Sequence, residues 1–560
     1  MYLDCRFLQI FTHTRLNFYT QSSKNLYVHE RTNVRRTYVM RKLTKRMGPY
    51  AILCIYVHTY ARLNIKIIRS FFLEKMNGSA SLNITMVSLF RTIQITLFVL
   101  PLVLDAFLIS SSSSSPSSVI LGVIMRSSAM SLSCTNEDLL SLVQQGLPES
   151  KVDSLEIVGD SIQQANAEGM NVQVKIHDNS SLLLLFVKRI HADVYASKKS
   201  WTDLRRTLIY ARTEIRFYQH IVPLISQKFS LIPHCYLSNY DLDGLIGEDE
   251  CATDVNNLPM DPDMPTQNKG GALLLQSMKA SEEDSSSSNQ TYFQTSPLTI
   301  DQAKQCLVAV AQLHASAWED PSILKLVSTK LAPFGGSYHL KIRNPKELQG
   351  LVSSWNKFTT AFEDFPEMKE LLQSSTNIQK IGQRVYDMAE YICNELSPNY
   401  QDNYATLVHG DYKAMNVFLP KNSYDYHDVK IIDYASTGIG MAMSDVAFHI
   451  THALTADDIQ HNEEDLLRTY LNALHSANPY IQYSYEEAFQ HYMLATVDYF
   501  RFICGRFWKS ATPETFEVRK NSVNTVLVNR NLPAAIAFIQ RVDKYLTIIE
   551  HKFDQNQQKA

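Results

Sequence analysis

The chain has 560 residues, 45% of them apolar and 19% charged, with a formal net charge of −3. That composition is globular, with enough apolar side chain for more than one folded lobe. It excludes nucleic-acid binding as a property of the whole surface. Eight cysteines are spread from Cys5 to Cys504 without a C-x-x-C pair or a framework of short spacings, so thiolate metal sites and a disulfide scaffold are disfavoured. A reducing, cytoplasmic location fits this usage.

Residues 1–129 differ in character from the rest. Up to Met76 there are about fourteen Lys and Arg against three acids, followed by apolar runs and the Ser-rich stretch Ser110–Ser118. The apolar run Ile93–Ile109 is shorter than the roughly 20 residues a spanning helix needs. It also contains Gln94, Pro101 and Asp105. Membrane or organelle association through 86–110 stays open, and secretion is disfavoured because no signal-like run opens the chain. Asn77-Gly-Ser79 and Asn83-Ile-Thr85 match glycosylation sequons, which matter only in a secreted chain. Met130 would serve as a cytosolic start, with residues 1–129 poorly ordered or targeting.

The folded region is expected to open with a helix at Asn136, which supplies a cap ahead of helically spaced Leu139, Leu140 and Val143. Met170–Ile176 alternates, Asp178–Ser181 carries turn residues, and Leu182–Val187 is continuously apolar. Together they predict a β-hairpin ending in Lys188. Thr207–Ile221 has helical spacing and carries Glu214. Asp241–Asn268 holds eight acids, three prolines and no Lys or Arg, the composition of a solvated loop. Gly271–Met278 resumes a buried strand, and Ser281–Ser296 is a polar excursion. From Thr299 onward helices dominate, over Asp301–Trp318, Ile378–Leu396, Glu464–His475 and Tyr485–Trp508. The order gives an α+β protein with a small β-rich lobe over 130–278, including the acidic loop 241–268, and a larger helical lobe over 279–556.

The stretch Thr406–Leu419 carries the chemistry. An apolar strand delivers His409-Gly410-Asp411, and Asn416 follows five residues after the carboxylate. Downstream, Val429-Lys-Ile-Ile-Asp433 is a second apolar run ending in a carboxylate. Phosphoryl transfer from ATP needs a carboxylate to orient a hydroxyl and take its proton, and hard oxygens for Mg2+.

This spacing resembles the catalytic loop and metal-binding strand of the kinase-like superfamily, with Gly410 typical of its small-molecule branch. With Leu313-His-Ala-Ser-Ala-Trp318 at a helix end, the chain looks like the ecdysteroid kinase-like family, a relative of aminoglycoside phosphotransferases and choline kinases, over roughly 140–546. The resemblance implies a two-lobed protein-kinase-like fold. It makes Asp411 the catalytic base and gives Asn416 and Asp433 the metal. Lys413 would stabilise charge on the transferring phosphoryl group. Lys188 and Glu214 resemble the strand lysine and helix glutamate that grip the nucleotide, and Asp445 resembles an Asp that steadies the catalytic loop. Gly169 is the one candidate where a phosphate loop should lie, in a region without G-x-G-x-x-G. His314 and Trp318 are expected to pack the second lobe and are assigned no chemistry.

The implied activity is ATP- and Mg2+-dependent phosphorylation of a small-molecule hydroxyl on a sterol, amino alcohol or sugar-like metabolite, without nucleic-acid partners. A catalytically inactive nucleotide-binding scaffold stays open because the phosphate loop is glycine-poor. A protein kinase is the more distant alternative, since Ala-Pro-Glu is absent.

Overall fold

The computed structural model describes residues 136–559, except 164–166, 178–181, 197, 226–229, 252–265, 267–268, 280–291, 422, 424 and 426–427. The basic N-terminal segment, the membrane candidate 86–110, both sequons and the turn at 178–181 lie outside the described residues. Among the described residues no helix is long and apolar enough to cross a membrane.

The first lobe is built on a five-stranded antiparallel sheet of order β1-β2-β3-β5-β4. Its strands are β1 (Val152–Gln163), β2 (Glu168–Ile176), β3 (Leu182–His191), β4 (Cys235–Asp241) and β5 (Gly270–Gln276). Helix α1 (Asn136–Gly146) covers one face, setting Leu139 and Val143 against Val172, Val174, Leu185 and Leu274. The expected β2–β3 hairpin forms. However, β3 does not end at Lys188 but continues through His191, because Lys188-Arg-Ile-His pairs with Gly270–Leu273 of β5. Helix α2 (Trp201–Arg216) starts earlier than its apolar spacing suggests, at a Ser200 cap that accepts from the Asp203 backbone N–H. It passes into a π-helical turn, Phe217–Ile221.

The acidic loop departs from expectation. Leu242, Leu245 and Ile246 are buried against Leu204, Leu208 and Ile209 of α2, and the acids at 248 and 250 pair with buried arginines of that helix. Composition alone gave no sign of this, because the compensating cations sit 32 and 45 residues earlier.

The second lobe is helical: α3 (Ile300–Ala315), α4 (Leu351–Ala361), α5 (Ile381–Glu395), α6 (Met443–Ala453), α7 (Ala456–Ala477), α8 (Tyr485–Arg506) and α9 (Leu532–Lys559), with shorter helices between. Capping boxes start α3 at Thr299 and α8 at Ser484. One continuous apolar core holds these helices together around Trp355, Phe358, Phe500 and Trp508. Two small sheets are set into this lobe. β7 (Ala405–Val408) pairs antiparallel with β10 (Gly438–Met441), and β8 (Val417–Pro420) pairs with β9 (Lys430–Ile431) and with β6 (Tyr292–Phe293). The chain is therefore a small antiparallel-sheet lobe followed by a larger helical lobe.

Candidate active site

The segment 405–441 folds back on itself twice, and this brings distant carboxylates together. β7 runs into His409-Gly410-Asp411, a 3-10 turn over Ala414–Asn416 leads into β8, and β8 is paired with β9 through Val417 and Ile431. The Ile432 backbone N–H donates to Asn416 O at 3.0 Å, so Asp433 emerges beside Asn416. β10 then returns along β7. Asn416 Nδ2 donates to Asp411 O at 2.8 Å and to Asp411 Oδ2 at 3.3 Å. Lys413 Nζ donates to Asp411 Oδ2 at 3.0 Å.

The first lobe contributes the other half. Lys188 Nζ lies 2.6 Å from Glu214 Oε2 and 2.8 Å from Asp433 Oδ1. Burial would lower the Lys188 pKa, but the Asp433 and Glu214 carboxylates outweigh it and hold the ammonium above its ordinary value. Burial pushes Glu214 up, against the pull of Lys188. For Asp433 burial is overcome by Lys188 and Lys413, and its carboxyl stays below the usual range. Lys413 is likewise held up by Asp411 and Asp433 against the effect of burial. Side-chain exposure is 3% for Glu214, 28% for Asp433 and 22% for Asp411. The two aspartates are therefore partly accessible to solvent, while Glu214 is buried beside Lys188.

The backbone of the 409–411 loop is fixed from beneath by Asp445 on the first turn of α6. Its carboxylate is 1% exposed. It accepts from the N–H groups of His409 (2.7 Å) and Gly410 (2.8 Å) and from His314 Nε2 (3.1 Å). His314 Nδ1 in turn accepts from the Tyr470 hydroxyl at 2.8 Å, which fixes the tautomer. Burial works against ionisation of Asp445, but His314, His409 and the Gly410 N–H prevail and lower its pKa. Asp445 thus serves a neighbouring loop rather than capping its own helix. His409 is oriented at both nitrogens: Nδ1 accepts from the Asp411 N–H at 3.2 Å and Nε2 donates to Ile432 O at 2.9 Å. Gly410 has φ +79°, and a Cβ there would sit 2.2 Å from Ser436 O and 2.5 Å from Gly336 N. Only glycine fits both constraints. Asp433 itself is left-handed, at φ 68° and ψ 61°, a conformation that aspartate tolerates better than most residues.

Among the expected site residues, Lys188, Glu214 and Asp433 form one cluster, and Asp411, Lys413 and Asn416 form the adjoining one. Gly169 lies within β2, opposite Lys188 in register. A Cβ there would approach the Phe186 ring at 2.7 Å, so packing accounts for the glycine. The connection that would cover phosphates, 164–166, lies outside the described residues. Sequence reading missed the His314–Asp445 link, whose only trace was a histidine near a helix end. It also missed the stacking of Tyr434 on Phe217 (3.9 Å between centroids, 14° between planes), which ties the turn after Asp433 to the end of α2.

Residues 283–483 match the model of the ecdysteroid kinase-like family. The ecdysteroid kinase-like match takes in His314, Asp411, Lys413, Asn416, Asp433 and Asp445, and leaves Lys188 and Glu214 outside it. No curated protein matches the chain. Among solved structures, the GDP complex of wild-type aminoglycoside 2'-phosphotransferase-IIIa is similar at 10% identity with a TM-score of 0.30, covering 74% of this chain and 99% of that one. The microcompartment-associated aminopropanol kinase is similar at 10% identity with a TM-score of 0.35, covering 74% and 98%.

Proposed function

We propose that this protein transfers the γ-phosphoryl group of ATP to the hydroxyl of a small molecule, such as a sterol, amino alcohol or sugar-like metabolite. The observation that carries the reading is the convergence of Asp411, Asn416 and Asp433, separated by up to 22 positions in sequence, on one cleft shared with the Lys188–Glu214 pair. The donor set of two partly exposed carboxylates and one amide oxygen fits Mg2+, which prefers a few hard protein oxygens and completes its shell with phosphates and water. Among the described residues there is no cluster of three or more His, Cys, Asp or Glu that could form a closed protein cage.

In this reading Asn416 and Asp433 hold the metal. Asn416 donates its amide N–H to Asp411, leaving Oδ1 available. Bound Mg2+ neutralises charge on the phosphate oxygens. Asp411 accepts a hydrogen bond from the acceptor hydroxyl, orients its lone pair toward phosphorus and takes the proton as the new bond forms. Lys413, held as an ammonium by the carboxylates around it, offsets negative charge on the transferring group. Lys188, clamped by buried Glu214, binds the remaining phosphates as a fixed cation.

The test is a Mg-ATP consumption screen over hydroxylated metabolites. At least one compound should raise turnover in a Mg2+-dependent way and leave as a phosphate monoester. Nucleotide binding without turnover on any hydroxyl compound would replace this reading with that of an inactive scaffold.

A further inference from the structure

Helix α2 presents Glu214 to Lys188, and what holds the helix from behind is an unusual set of contacts. Residues two apart on a helix project about 200° apart. Arg212 and Arg216 therefore point away from the cleft that Glu214 faces. Both are buried, at 3% and 2% exposure, and one turn apart they repel. Burial and then Arg216 lower the Arg212 pKa. Two neighbouring buried guanidinium groups persist only where acceptors surround them.

Those acceptors come from the acidic segment 242–251. Arg212 donates to Gly247 O at 2.7 Å and to Glu250 O. Arg216 Nη2 donates to Glu248 O at 3.0 Å and pairs with the Glu248 carboxylate at 2.5 Å. The third arginine, Arg205, pairs with Glu250, whose other oxygen accepts from the Gly247 N–H at 3.1 Å and closes the loop on itself. Arg216 goes further: Nη1 donates to Lys330 O at 3.2 Å and Nε to the Tyr240 hydroxyl at 3.0 Å. One side chain thus joins α2, the acidic segment, β4 and the helical lobe. Beneath these polar contacts Leu242, Leu245 and Ile246 are buried in the apolar cluster with Leu204, Leu208 and Ile209.

We propose that segment 242–251 is a clamp on the rear of α2, with Arg212 and Arg216 as positioning residues whose grip keeps Glu214 against Lys188 and thereby sets nucleotide affinity. The inference rests on the reading of the cleft as a nucleotide site. A helix held only at its front, through the Lys188 ion pair and the Phe217–Tyr434 stack, would keep more freedom to shift and leave Lys188 to Asp433 alone. The rear contacts remove that freedom before any ligand arrives, which lowers the ordering cost of binding.

Two measurements on the full chain separate failure of the clamp from failure of the nucleotide reading. Glu250→Gln keeps shape and removes one charge, while Arg212→Met removes the fork to two carbonyls. Without nucleotide, backbone amides of 210–216 should exchange roughly tenfold faster in either variant, with the helical lobe unchanged. Titration with Mg-ATP should give a Kd roughly tenfold weaker. Arg212→Lys should be as weak as Arg212→Met, because one ammonium cannot span both carbonyls. Unchanged exchange at 210–216 in folded Glu250→Gln and Arg212→Met overturns the clamp whatever the nucleotide result. A wild-type Kd that both variants retain overturns its link to affinity. Wild-type protein that binds no Mg-nucleotide removes the nucleotide reading and this link with it.

Discussion

At the scale of single residues, the proposed function gives the two partly exposed aspartates separable roles. Asp411→Asn preserves the bonds from Asn416 and Lys413 in outline but removes the proton acceptor. The expected result is a fall in kcat of about 10²–10⁴-fold with little change in nucleotide Kd, measured by steady-state kinetics beside calorimetric titration. A variant as active as wild type would sink the assignment of Asp411. Asp433→Ala should act on binding instead. It removes the proposed metal ligand and frees Lys188 from half its counter-charge, so nucleotide affinity should lose its dependence on Mg2+. Titration curves with and without Mg2+ should then coincide. Gly410 is a different case, since its requirement is steric. Gly410→Ala meets both a left-handed φ and backbone atoms at 2.2–2.5 Å, and should cost more than about 2 kcal/mol in stability as well as displace Asp411. A denaturation midpoint equal to wild type would show that the loop relaxes around the added methyl.

At the scale of elements, the loop 409–416 is held by α6 rather than by its own strand. Asp445→Asn replaces a carboxylate that accepts three N–H bonds with an amide that must turn a donor toward one of them. This should cost about 3 kcal/mol, read as a lower urea midpoint at constant m-value, with kcat reduced more than nucleotide affinity. Part of this was legible in the sequence. Asp411, Asn416 and Asp433 were readable because strand, turn and carboxylate are local patterns, and Glu214 because its helix has clean apolar spacing. The His314–Asp445 bond was not readable, since 131 positions separate two residues that each had an ordinary local explanation. The acidic segment was misleading for the same reason. Its charge implied solvation until the α2 arginines were placed beside it. β1 and β4 were also missed, since β1 mixes Asp, Ser and Gly with its apolar residues and β4 has little alternation. Their pairing partners, not their own propensity, make them strands.

At the scale of the whole molecule, the helical lobe buries neutral histidines that should govern its response to acid. Burial lowers His339, His449 and His491 to about 4 and His452 to about 3, from an ordinary value of 6.5. His452 Nδ1 has no hydrogen-bond partner among the described residues. A base with a depressed pKa contributes stability that is complete above its unfolded value and is lost as pH falls toward the folded one. Between pH 6.5 and 4 the unfolded chain takes up protons that the folded chain refuses, so stability must fall on acidification, by up to about 1.4 kcal/mol per pH unit for each histidine. His191 and His220 of the first lobe, also lowered by burial, add to the same slope. Asp433 and Asp445, both lowered, lose their contribution only below about 3.8. Lys188 and Lys413, both raised, lose theirs only as pH climbs past about 10.5. Glu214, raised by burial, has the opposite sign, one group against the lowered histidines together. The urea midpoint should therefore drop steadily from pH 7 to pH 5, before any carboxylate network is protonated. His452→Phe, beside the Phe448 ring 5.8 Å away, should flatten that slope by up to about one quarter while leaving the m-value unchanged. An identical slope in this variant would mean that the lobe admits a proton at His452 without opening.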